Sequence, residues 1–122
     1  MNAEVGILLV TGILTLAGGI GALAPRRSAA LLFGIDAPDA ATTLVVRHWS
    51  LLIALVGVLL IWAAYDPAIR VPVMVVAAIE KFAIAAFVFL TPLRQRKQTV
   101  AVVAADTVMA IMYVLLLARG AT

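Results

Sequence analysis

Four apolar runs, separated by short stretches of proline, arginine and aspartate, take up most of this chain. They cover residues 5–23, 44–64, 71–90 and 99–118, and the third is free to begin as early as Pro67. A hydrocarbon layer ~30 Å thick requires about 20 apolar residues at ~1.5 Å of rise each. Of the 122 residues, 66% are hydrophobic. Soluble domains carry roughly 45–50%, and a domain this small has no interior for the surplus. The solvent such a chain requires is a bilayer. In lipid, helices are the open-ended way to satisfy every backbone group. The expected fold class is therefore all-α: one polytopic domain over residues 1–122, built as a four-transmembrane-helix bundle.

Composition narrows the chemistry. There is no cysteine, which excludes disulfides, thiolate metal sites and thiol redox chemistry. The single histidine, His48, rules out an all-histidine metal site or a bis-histidine haem within one chain. No cofactor and no metal are expected. The net charge of +3 is not read as a nucleic-acid signal, because the basic residues sit at the ends of apolar runs. Arg26 and Arg27 fall in the first loop and Arg94, Arg96 and Lys97 in the third, against Arg70 and Arg119 on the other side. The positive-inside rule then makes loops one and three cytoplasmic and both termini external, in a bacterial inner membrane.

The boundaries carry their own signals. Asp66-Pro67 reads as an N-cap followed by proline at the first helical position. Asp39 or Thr42 suits the cap of the second helix, and Thr91-Pro92 closes the third. Trp49 and Trp62 are expected to bracket the second helix at the two interfaces. The first run ends in Ala22-x-Ala24, a pattern found at signal-peptide cleavage sites. Its short leading segment holds Glu4 and no basic residue, and proline follows the would-be cut, so it reads as a retained span. In the first loop, Ala29-Ala30-Leu31-Leu32-Phe33 before Gly34 reads as a short interfacial helix on the cytoplasmic leaflet or as a lid over a cavity.

The stretch "VVAAIEKFAIAAFVF" then places Glu80 and Lys81 side by side near the middle of the third run. A charge at such depth costs at least ~2.5–3.5 kcal/mol, and is kept where it pairs, faces a cavity or does work. Asp106 lies well inside the fourth run, and Arg47 and His48 enter the second. Arg47 and Lys81 balance Glu80 and Asp106, and neutral clusters are how buried charges survive desolvation. Helical spacing aligns Arg47, Ser50, Ala54 and Gly57 on one small-residue stripe. It aligns Thr11, Thr15, Gly18 and Ala22 on the first helix, with Gly12 and Gly19 beside them. Asp106, Ala110 and Tyr113 share a face of the fourth. Glu80 and Lys81 are 100° apart, so they cannot both point along one radius.

Two classes of function fit. In the first, the bundle holds a polar pocket for a lipophilic small molecule, with isomerase-, hydratase- or cyclase-like chemistry. Glu80 and Asp106 are the candidate catalytic acid and base, because carboxyls with unequal neighbours split those roles. Lys81 or Arg47 is placed to stabilise an oxyanion, with His48, Trp49 and Tyr113 in support. In the second, the chain is a proton-coupled transporter acting as a homodimer, with Glu80 as the coupling carboxylate, or an accessory subunit bound to a partner membrane protein. A purely structural role for Arg47, Glu80, Lys81 and Asp106, holding four helices in register, explains the charge balance equally well.

The order of features, "TGILTLAGGIGALAPRR", then "RHWSLLIALVGVLL", then a third helix with a mid-span basic residue and a fourth helix, resembles the small four-helix bacterial membrane proteins called DoxX-like. The resemblance covers most of the chain. It implies the four-helix fold and leaves activity open.

Overall fold

The structure, a computed structural model, describes residues 2–120. Over these residues the chain forms five α-helices and no strand. They are α1 (Ala3–Gly18), α2 (Pro25–Phe33), α3 (Ala40–Tyr65), α4 (Arg70–Phe89) and α5 (Lys97–Ala118). A tight 3₁₀ turn, Gly19–Ala22, extends α1, and another, Pro67–Ile69, leads into α4. Four helical stretches of 20, 26, 23 and 22 residues are long and apolar enough to cross a membrane. The ends that the charge rule assigns to the exterior, Met1 and residues 121–122, lie outside the described residues. Asn2, Glu4, Leu116 and Arg119 border one hollow, so α1 begins where α5 ends.

Local chemistry sets the helix ends. The Asn2 side chain accepts from the Val5 N–H at 2.9 Å. Pro25 opens α2, and Gly34 closes it in the left-handed region, at φ 70°, where a Cβ is strained. Of the two candidate caps for α3, Asp39 takes the role, accepting from the Thr42 N–H at 2.7 Å. That donor holds the Asp39 carboxyl below its usual range. The helix therefore starts at Ala40 rather than at residue 44, because the cap recruits polar Thr42 and Thr43 into its first turn. Asp66 accepts from the Ala68 N–H at 3.0 Å, with Pro67 at the first position of the turn. Thr91 caps the short 3₁₀ segment Pro92–Gln95.

Two arginines turn out to be structural. Arg70 is buried and donates from Nε to the Ala63 carbonyl at 2.6 Å and from Nη2 to Ala64 at 2.7 Å. It satisfies carbonyls that the C-terminus of α3 leaves open. Glu4 lies 3.6 Å from its Nη1, a charge contact too long for a hydrogen bond. At the other end, Arg96 donates to the Ala30 and Leu31 carbonyls at 2.9 and 2.6 Å, and Thr99 donates to Leu32. The C-terminus of α2 is thereby tied to the start of α5.

α1 packs chiefly on α3, and α4 on α5. The α1–α3 seam is made of glycine. A Cβ on Gly57 would lie 2.5 Å from the Leu16 nitrogen, and one on Gly12 would lie 2.8 Å from Ile61. Gly19 meets Ala54 the same way, at 2.6 Å. A core of Leu8, Leu60, Met74, Ala77, Met109 and Tyr113 fills one half of the bundle. Ala85, Val88 and Val103 fill a smaller core in the other half. Outside, Val10, Ile13, Leu55, Ile79, Phe87 and Ile111 are exposed on the long helices. An apolar surface of this extent is compatible with contact with lipid.

Candidate functional site

Between the two cores lies a polar layer. On α4 the inward stripe is Met74, Ala77, Ala78, Lys81, Ala85 and Val88, so Lys81 enters the bundle at a break in an otherwise apolar row. Its Nζ donates to Asp106 Oδ1 on α5 at 3.1 Å and to Thr15 Oγ1 on α1 at 3.0 Å. The Lys81 side chain is 1% exposed and that of Asp106 24%. The Thr15 hydroxyl in turn points at Met109 Sδ, 3.9 Å away. Three helices thus meet at one ammonium group. Breaking such a buried pair from one side costs ~3–5 kcal/mol, since the other charge is left uncompensated.

Glu80 is turned one helical step from Lys81. It lies at the edge of the packed face, half-buried, and its Oε2 is sealed from solvent with no hydrogen-bond partner. What it borders is a cavity of about 290 Å³. Thr15, Glu80, Lys81 and Asp106 give the cavity its polar end, while Trp49, Ile53 and Met109 are among its apolar walls. Leu14 on α1 and Val102 on α5 line it while remaining exposed on the bundle surface. α1 and α5 touch only sparsely. The cavity therefore reaches the side of the bundle between these two helices. A slot of about 20 Å³ continues from Asp106 to Thr99, under Leu32 and Phe33 of α2. α2 accordingly borders this end of the cavity through Leu32.

Lys81, Glu80, Asp106 and Trp49 come together as candidate site residues. The others do not. Arg47 is exposed and faces a shallow hollow with Arg26 and Thr43, so the balanced group of four charges does not form. Its stripe reaches the outside one turn before Ser50, which is fully buried. His48 is exposed and borders no part of the cavity. With α3 starting at Ala40, Trp49 stands well inside the helix, tilted against Phe33 at 5.6 Å between ring centroids. Tyr113 is fully buried in the larger core. Its hydroxyl neighbours Thr11 and completes no hydrogen bond, to Asp106 or to any other group. Among the described residues no three histidine, aspartate or glutamate side chains gather as a metal site.

Thr15 is the site residue whose role the sequence left hidden. Its place on the Thr11–Thr15–Gly18 stripe signalled a packing face and carried no sign of an ammonium partner. Arg96 and Thr99 were hidden too, since arginine beside a span reads first as a topology charge. No protein-family model, curated protein or solved structure matches this chain.

Proposed function

We propose that this chain is an integral membrane protein that binds a lipophilic small molecule in the cavity between its two helix pairs. The observation that carries the reading is the cavity itself. It is polar at the Lys81–Asp106–Glu80 end, apolar along its walls, and it reaches the bundle surface between α1 and α5. Its volume is about 290 Å³. Dry engineered cavities of ~150 Å³ already take benzene, and small-molecule pockets begin near 300 Å³. A side opening suits a ligand that arrives through lipid with its apolar part trailing outward.

Acid–base chemistry of the isomerase or hydratase kind is the reaction this arrangement suits. The two carboxyls have unequal neighbours: Asp106 is engaged by Lys81, while Glu80 lines the cavity with no hydrogen bond to its Oε2, and Glu80 is the carboxyl that takes or gives the proton. Lys81 has three donors and spends two inside the protein, which leaves one for an oxyanion. The membrane is the bacterial inner membrane, with the α2 end of the bundle cytoplasmic, as the arginines of loops one and three suggest. The DoxX-like resemblance belongs to the same proposal.

Photolabelling tests it. A lipophilic diazirine probe in lipid nanodiscs is expected to label Ile53 and Met109, which line the cavity and are less exposed on the outside than Leu14. Gly18→Leu fills open space, since a Cβ there meets only Ile53 at 3.9 Å. It should suppress labelling at those positions and leave lipid-facing Ile79 labelled. Labelling confined to the outer surface, and indifferent to Gly18→Leu, would sink the reading.

A further inference from the structure

The charge balance around the cavity does not close. Lys81 is the basic residue at its polar end, and its Nζ is committed to Asp106 and Thr15. Glu80 faces the same space, its charged neighbours being Lys81 and Asp106. Arg47, which would have balanced it, lies in the hollow beside Arg26. One ammonium against two carboxyls leaves an excess acid whose Oε2 has no donor in the protein. Buried carboxyls without a partner are costly, so the missing positive charge has to come from outside the chain. A ligand cation in the cavity supplies it.

Trp49 adds a second, independent feature. Trp49 lines the same cavity, and the face of an indole attracts a cation within about 6 Å of its centre. Leu14, Ile53 and Met109 supply apolar contact for the remainder of such a molecule. Asp106 and Lys81 cancel one another and so do not repel it.

We infer that the ligand class of this cavity is a lipophilic ammonium ion, its charged head between Glu80 and Trp49 and its apolar part directed toward the α1–α5 opening. This rests on the proposal that the cavity takes lipophilic molecules, and it specifies their charge.

The test uses three probes with one decyl chain and different heads: trimethylammonium, the neutral tert-butyl isostere, and carboxylate. Binding is followed by Trp49 fluorescence in zwitterionic-lipid nanodiscs. Trp62→Phe, a change at an exposed site, leaves Trp49 as the sole indole. The ammonium probe is expected to bind at least ten-fold tighter than the tert-butyl probe, and the carboxylate probe weakest. Glu80→Gln should erase the ammonium preference while the tert-butyl affinity stays the same, which also shows that the variant is folded. Equal affinity for the ammonium and tert-butyl probes would overturn the charge assignment and leave the lipophilic cavity standing. Preference for the carboxylate would overturn it in favour of Lys81 as the head-group partner. Failure of all three to bind would overturn the cavity reading as well.

Discussion

The two long interfaces of this bundle are built on opposite principles. Along α1–α3, glycines let two backbones approach until a single added Cβ would strike main chain, and nothing polar crosses the seam at Gly12, Gly19 or Gly57. Where α1 faces α4 and α5, an ammonium, a carboxylate and a hydroxyl hold three helices together and a cavity remains beside them. Lipid is as apolar as leucine, so burying leucine gives helices in a bilayer no reason to associate. They associate either by close backbone packing or by polar pairs. The first kind leaves no space. The second leaves a cavity.

The sharpest way to break this contrast is Asp106→Ala. It leaves the Lys81 ammonium with Thr15 as its one hydrogen-bond partner and Glu80 as an unbonded neighbour, and thermal unfolding in nanodiscs should show a loss of up to ~3–5 kcal/mol. Adding Lys81→Met should recover most of it. A single variant as stable as the parent would mean that the ion pair holds nothing together. Glu80→Gln makes the complementary case: Lys81 keeps both of its partners, so stability should be retained.

Gly57→Ala probes the other interface. Its new Cβ meets Leu16 main chain at 2.5 Å, and main chain cannot step aside. An overpacking loss of ~1–3 kcal/mol is expected. Gly6→Ala is the control, since its Cβ meets nothing within 4 Å, and it should be neutral or stabilising by up to ~1 kcal/mol. If both changes behave alike, the seam is looser than its geometry indicates.

Arg96→Ala should act locally. The carbonyls of Ala30 and Leu31 lose charged donors, and such bonds contribute ~1.5–3 kcal/mol each where buried and less where exposed, as one of them is here. Faster amide exchange over residues 29–34, with global unfolding little changed, is the expected reading. Uniform exchange rates would show that α2 is held by its apolar contacts alone.

The smallest effect concerns Asp39. Its carboxyl is held below the ordinary value of 3.8, chiefly by the Thr42 N–H. A group with a lowered folded-state pKa contributes stability above its unfolded value and loses it as pH falls through the folded one. Protection of the Thr42 amide should therefore be steady at neutral pH and decline below about pH 3.8. Asp39→Asn should remove that decline.

Much of the architecture was legible because its causes are local. Four runs of sufficient length, Asp66-Pro67, Asp39 and Gly34 each act within a few residues of where they stand. Even so, α3 begins before residue 44, because a cap can draw threonines into a helix that hydropathy alone would exclude. The site was legible only as an inventory. Glu80, Lys81 and Asp106 stood out by their depth in apolar runs, and Thr15 did not, since threonine is equally at home in a packing stripe. Arg47 was misplaced by a stripe argument that says which residues share a face and not how far along the helix that face stays buried.

What the sequence determined, then, is that there are four membrane-length helices, about where each lies, and that charges stand inside them. What the tertiary structure decided is which charges meet. Lys81 turns to Asp106 and Thr15, Glu80 is left facing the cavity, Arg47 stays outside, and Arg70 and Arg96 become caps for the ends of other helices. The reason is geometric. Length and capping depend on neighbours in the chain, whereas the rotation of one helix against another is set by contacts such as Gly12 on Gly57, some forty-five residues apart. A turn of 100° separates Glu80 from Lys81, and only that distant packing decides which of them faces inward.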